Sequence, residues 1–119
     1  MKRTLKRMRW VPTASWALLA ALQLAALPTR AETPALFLKI RDHRFSPAEL
    51  QIPAGEKFLL TIDNQDASAE EFESHALHRE KIIPANAQTS IYIGPLKPGR
   101  YEFFGEFNEA TARGAVIVR

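Results

Sequence analysis

The side chains in this 119-residue chain best suited to chemistry are metal donors. Near the end, residues 105–114 carry Glu106, Asn108 and Glu109 between Gly105 and Gly114. A second acidic stretch, Glu70-Glu71-Phe72-Glu73-Ser74, runs straight on to His75 and His78. Carboxylate and amide oxygens suit hard or borderline cations: Fe(II), Fe(III), Mn(II) or Ca(II). His75 and His78 are three positions apart and would share one face of a helical turn. There, with Glu71 or Glu80, they would suit Cu(II), Zn(II) or Fe(II). Each group also has a plainer reading. The carboxylates would be the solvated rim of a domain, and the histidines surface groups whose neighbours Arg79 and Lys81 disfavour a cation. His43 stands alone beside Asp42. No Ser-His-Asp order, phosphate loop or acid–base pair marks an enzyme.

What is missing narrows the chemistry further. The chain has no cysteine, and both methionines and both tryptophans fall within the first 16 residues. Beyond them neither thiolate nor thioether is available, so a metal would be held by nitrogen and oxygen alone.

Those first residues form a separate segment. Lys2, Arg3, Lys6, Arg7 and Arg9 give a basic start, residues 16–27 are apolar except for Gln23, and Thr29-Arg30-Ala31 offers small residues for cleavage. This is the pattern of a secretory leader spanning 1–31, with an uncleaved anchor as the alternative. It predicts export to the periplasm. The apolar run is short against the roughly 20 residues of a membrane-spanning helix. Six of the 16 basic residues and none of the 13 acidic ones lie in the leader, so residues 32–119 carry a formal charge of −3. The basic pI belongs to the leader, and a nucleic-acid partner loses its support.

The elements that must position the donors are short and extended. Period-two alternation predicts strands over 35–41, 49–52, 57–63, 70–74, 81–83, 89–93, 101–104 and 115–118. A turn of helix is expected within 73–80. Gly55, the Pro84 turn and the Gly94-Pro95-Leu96-Lys97-Pro98-Gly99 loop separate the strands. Tyr101, Phe103 and Phe107 read as packing. Strands at this spacing indicate one all-β sandwich of seven or eight strands over residues 32–119.

Three motifs, in order, resemble the cupredoxin family. They are Phe45-Ser-Pro-Ala-Glu-Leu-Gln-Ile-Pro-Ala-Gly55 with a strand ending at Asn64, then Leu96-Lys-Pro-Gly-Arg-Tyr-Glu-Phe103, and Gly114-Ala-Val-Ile-Val118. The resemblance implies a Greek-key sandwich. More narrowly, Glu70–Ser74, Arg79-Glu80-Lys81 and Phe104-Gly105-Glu106-Phe107 resemble EfeO-type, iron-uptake-associated periplasmic domains. The family's blue-copper members would place Cys at Gly105, His near Asn108, Met near Arg113 and a first His near Glu70 or Glu71. None of the four ligands is present, so a type 1 copper site is excluded.

The same topology implies that Glu70 or Glu71, together with Glu73, approaches Glu106, Asn108 and Glu109. The resemblance thus implies a periplasmic accessory protein binding iron or Cu(II) through N/O ligands, with an inner-membrane iron permease or another periplasmic protein as partner. The alternatives are a metal-free interaction module docking to such a partner and a ferroxidase-type redox protein.

Overall fold

Apolar side chains every second residue set the layers. In the strand Phe58–Asn64 the buried positions Phe58, Leu60, Ile62 and Asn64 alternate with half-buried ones, so one face is core and the other meets solvent. The computed structural model describes residues 32–119, together with Arg9 and residues 25–28. By its contacts the chain divides into Met1–Arg30 and Ala31–Arg119, and the strands of the described residues lie in the second unit. The expected leader and its cleavage at Ala31 fall outside the described residues apart from those five positions.

The strands are β1 (Ala35–Arg41), β2 (Arg44–Ser46), β3 (Glu49–Ile52), β4 (Phe58–Asn64), β5 (Glu70–Ser74), β6 (Arg79–Ile83), β7 (Gln88–Ile93), β8 (Gly99–Gly105) and β9 (Arg113–Val118). A one-turn 3-10 helix, Glu106–Asn108, joins β8 to β9. One sheet has the order β2-β1-β4-β7 and the other β3-β9-β8-β5-β6. Both are mixed: β1 runs parallel to β4, and β3 to β9, while the other pairs are antiparallel. The all-β sandwich is as expected from the alternation.

Two local readings need correction. The described residues form nine strands, and the one beyond expectation is β2. It exists because Asp42 and His43 both take positive φ (51° and 55°), giving a two-residue hairpin turn whose twist suits paired strands. The Asp66 carboxylate accepts from the backbone N–H of Asp42 at 2.8 Å and of His43 at 3.0 Å and so fixes the turn. The helical turn expected within 73–80 is instead the β5–β6 hairpin. Glu73 lies opposite Glu80, and His75 and His78 sit at the corners of the connecting turn, with His78 at φ 53°. Pairing of β5 with both β6 and β8 outweighs the weak helical preference of so short a segment.

The core joins the two layers. Leu38, Ile40, Phe58, Leu60, Ile62 and Ile93 come from the first sheet; Phe72, Phe103, Val116 and Val118 from the second. Phe45 of β2 stands edge-on to both Phe72 and Phe103, at 6.2 and 5.1 Å between centroids. Each buried aromatic or branched side chain contributes about 1.5–3 kcal/mol.

Candidate metal centre

Alternation along β5 divides its acidic residues between two environments. Phe72 points into the core, so Glu70 and Ser74 share its side while Glu71 and Glu73 face outward from the five-stranded sheet. Pairing then assembles neighbours around the outward pair. Glu80 of β6 lies opposite Glu73, and Phe104 of β8 flanks Glu73 on the other side. One step past Gly105, which pairs with Phe72, the 3-10 helix begins with Glu106. Donor atoms of Glu71, Glu73 and Glu106 all lie within 4.8 Å of one another. Two oxygens bound to one ion at about 2.0–2.4 Å can be about that far apart.

Electrostatics at this group are one-sided. Glu71 is only 9 % exposed. Its carboxyl is pushed up from 4.5 to about 7, first by a hydrogen bond with Glu80, then by burial and by the charges of Glu80, Glu106 and Glu73. Among the described residues no ion pair engages Glu71, Glu80 or Glu106. Beside Glu73 lies His75, whose Nδ1 is 3.6 Å from the Glu73 Oε1 and is a counter-charge only when the imidazole is protonated. A cation placed between these carboxylates would replace a shared proton and relieve the repulsion that keeps it there.

The remaining donors go elsewhere. Glu109 follows the 3-10 helix and is exposed, outside the three-carboxylate group. His75 rests its ring 5.6 Å from that of Phe104, and His78 lines an open cleft with Arg79 and Glu80. Neither histidine belongs to the carboxylate group, and His43 lies 3.5 Å from Asp66 in the β1–β2 turn. The sequence offers Glu80 as a partner of the two histidines on a helical turn, but not its place opposite Glu73. Reading 73–80 as a hairpin would have found it, since strand pairing sets Glu80 directly across from Glu73.

Glu70, on the inner side, is 1 % exposed. Its Oε1 accepts from the backbone N–H of Glu71 at 2.9 Å and of Phe107 at 3.0 Å, and its Oε2 from Asn108 Nδ2 at 2.7 Å. At Gly105, a Cβ would meet the Glu70 Cδ and the Ala112 Cβ at 2.6 Å each. These are positions where the resemblance would put copper ligands, and they do not fit the metal. The thiolate and imidazoles are absent, the space beside Gly105 is filled, and Glu70 and Asn108 satisfy one another.

Comparison with known proteins agrees with this architecture. Residues 13–118 match the profile of the Cupredoxin-like domain. An uncharacterized protein of Rickettsia prowazekii (strain Madrid E) is 48 % identical over 81 residues, which cover 68 % of this chain. The match spans 65 % of that relative's own length. Among solved structures, the metal-binding domain of the Streptococcus pneumoniae Cu(I)-exporting P-type ATPase CopA, with Cu(I), superposes with TM-score 0.64 at 18 % identity, covering 71 % of this chain and 84 % of that one. Auracyanin A, a "blue" copper protein from Chloroflexus aurantiacus, gives 0.64 at 10 % identity, covering 74 % and 100 %. Amicyanin from Paracoccus versutus gives 0.57 at 19 %, covering 75 % and 85 %. At these identities the structures speak for the fold alone. With its sandwich, its frame motifs and a family match over most of its length, the chain belongs to the cupredoxin-like domain family.

Proposed function

We propose that this protein is an exported cupredoxin-like cation binder that holds iron, or Cu(II), through carboxylates on the outer face of its five-stranded sheet and passes it to an uptake system. The single observation that carries the reading is Glu71. A carboxylate nine-tenths buried, facing Glu73, Glu80 and Glu106, has among the described residues no positive partner of the kind that burial of charge requires. Oxygen-only donors favour iron or manganese over copper, and His75, 3.6 Å from Glu73, offers a nitrogen for a softer ion. The periplasmic location rests on the leader pattern of residues 1–31. The link to iron uptake, and to a permease as partner, rests on the EfeO-type resemblance at Glu70–Ser74 and Phe104–Phe107.

Calorimetric titration of the purified protein with Fe(II), Mn(II) and Cu(II) tests it. One ion should bind per chain, with Kd below about 100 μM, the weak end for extracellular oxygen-donor sites. No binding in that range by any of the three would end the reading.

A second reading, an interaction module, is favoured by the first sheet. Phe37 and Tyr92 on its outer face are 69 % and 52 % exposed, with Leu59 paired to Tyr92 between them. On that reading Phe37→Ser and Tyr92→Ser abolish function, while Glu71→Gln and Glu106→Gln leave it intact.

A further inference from the structure

We propose that Glu70 is this chain's internal substitute for a metal cross-link. Its carboxylate ties β5 to the loop between β8 and β9 and fills the inner position, beside Gly105 and Asn108, where the resemblance would put copper ligands. A metal ion there would join the two segments through its bonds. The Glu70 carboxylate joins the same segments through two hydrogen bonds, from the Phe107 backbone and the Asn108 side chain, while the Glu71 N–H on its own strand holds Oε1 in place.

Three further observations support the assignment. Gly105, which precedes the 3-10 helix, makes no side-chain cap, and Oε1 of Glu70 takes the Phe107 N–H in its stead. The loop is otherwise closed on itself: Gly105 N–H donates to Ala112 O at 2.9 Å and Ala112 N–H to Asn108 O at 2.8 Å. The absent side chain at Gly105 leaves the space that the Glu70 carboxylate fills. The carboxylate is therefore a built part of the fold, with its oxygens occupied. Its consequence for the proposed cation site is positional. Glu106 begins the segment that Glu70 pins, so the Glu70 link holds one of the site's donors in place; that clause alone rests on the cation reading.

The test is amide hydrogen exchange on the full chain, wild type and variants. In Glu70→Ala the Phe107 amide should exchange about tenfold faster or more, while amides of β4 and β7 keep their protection. Unchanged Phe107 exchange would overturn the proposal. So would loss of Phe107 protection when the wild-type protein is treated with a chelator, because a metal would then be supplying the link. Should Glu70→Ala fail to fold, Glu70→Gln decides. It keeps one oxygen for the backbone N–H groups but presents an amide to Asn108, so the Asn108 side-chain protons should exchange faster while Phe107 stays protected. No change at Asn108 would count against the proposal. Glu71→Gln, which removes the buried cation donor, should leave Phe107 protection unaltered, so failure of the cation reading and failure of the Glu70 link give different results.

Discussion

Glu71 and Glu80 stand on adjacent strands, β5 and β6, and Glu80 is the first cause that raises the Glu71 carboxyl to about 7, so that it holds a proton an ordinary carboxylate would have lost. Such a pair persists only where the surrounding structure gains more than the repulsion loses, or where an ion relieves it. Glu71→Gln keeps the shape, replaces the shared proton with an amide donor and removes a donor oxygen for a cation. Calorimetry should show cation affinity about 10–100-fold weaker, at least the cost of losing a second-sphere partner in a metal site. In chelator, thermal unfolding near neutral pH should show the variant as stable as the wild type or more so. A variant that bound cations as tightly as the wild type would remove Glu71 from the site.

The direction of the pH effect follows from the same group. Its folded pKa of about 7 lies above its ordinary 4.5, so between those values the folded chain holds more proton than the unfolded one. Stability from this group is therefore fully present below about 4.5 and is lost as pH rises toward about 7. Metal binding runs the other way, because the ion must displace the proton. Affinity should climb with pH through about 6 and level off above about 7, with proton release on binding in the lower range. Wild-type and Glu71→Gln unfolding midpoints, compared across pH in chelator, isolate the first effect. Titration in buffers of different ionisation enthalpy isolates the second.

Much of the framework was legible because period-two alternation states which face of a strand is buried. Phe58, Leu60 and Ile62 in β4 could be assigned inward from residue order alone, and they are. What was not legible depended on register. Whether Glu73 meets Glu80 or His75 meets His78 on a helix is decided by which segment pairs with which, a matter of the partners β5 finds in β6 and β8. The division of labour between Glu70 and Glu71 was hidden for the same reason. Adjacent identical residues point to opposite faces of a strand, so one became an internal hydrogen-bond acceptor and the other an outward-facing donor.

Asn64 shows how the fold holds the approach to that acidic strand. It is 0 % exposed, its Nδ2 donates to the carbonyls of Ser68, Ile83 and Pro84 at 2.9, 3.1 and 3.2 Å, and its Oδ1 accepts from Asp66 N–H at 3.0 Å. It thereby ties the end of β4 to the end of β6 and shapes the loop that delivers Glu70. Asn64→Leu keeps the branching at Cγ but is bulkier and leaves these buried groups unpaired, at about 1–3 kcal/mol for each one not rescued by water. Denaturant unfolding should show a loss of at least about 2 kcal/mol, with Asn64→Asp also destabilised because its carboxylate would face carbonyl oxygens. A loss well under about 1 kcal/mol for Asn64→Leu would mean that water replaces the side chain.

The start of β9, just after the loop, makes a packing prediction. Gly114 pairs with Phe103, and a Cβ there would run into the Phe103 ring and approach the Ala48 carbonyl oxygen at 2.7 Å. The ring cannot swing away freely, since Phe72 and Phe45 stand 5.0 and 5.1 Å from it between centroids. Gly114→Ala should therefore cost about 1–3 kcal/mol through overpacking, and Phe103→Ala about 3–5 kcal/mol through the cavity it leaves. The two should not add. In the double variant the methyl group introduced at position 114 enters space the ring has vacated, so the combined loss should fall short of the sum by about 0.5–3 kcal/mol. Additive losses would place the strain of Gly114→Ala at the Ala48 carbonyl, a backbone contact that removal of the ring does nothing to relieve.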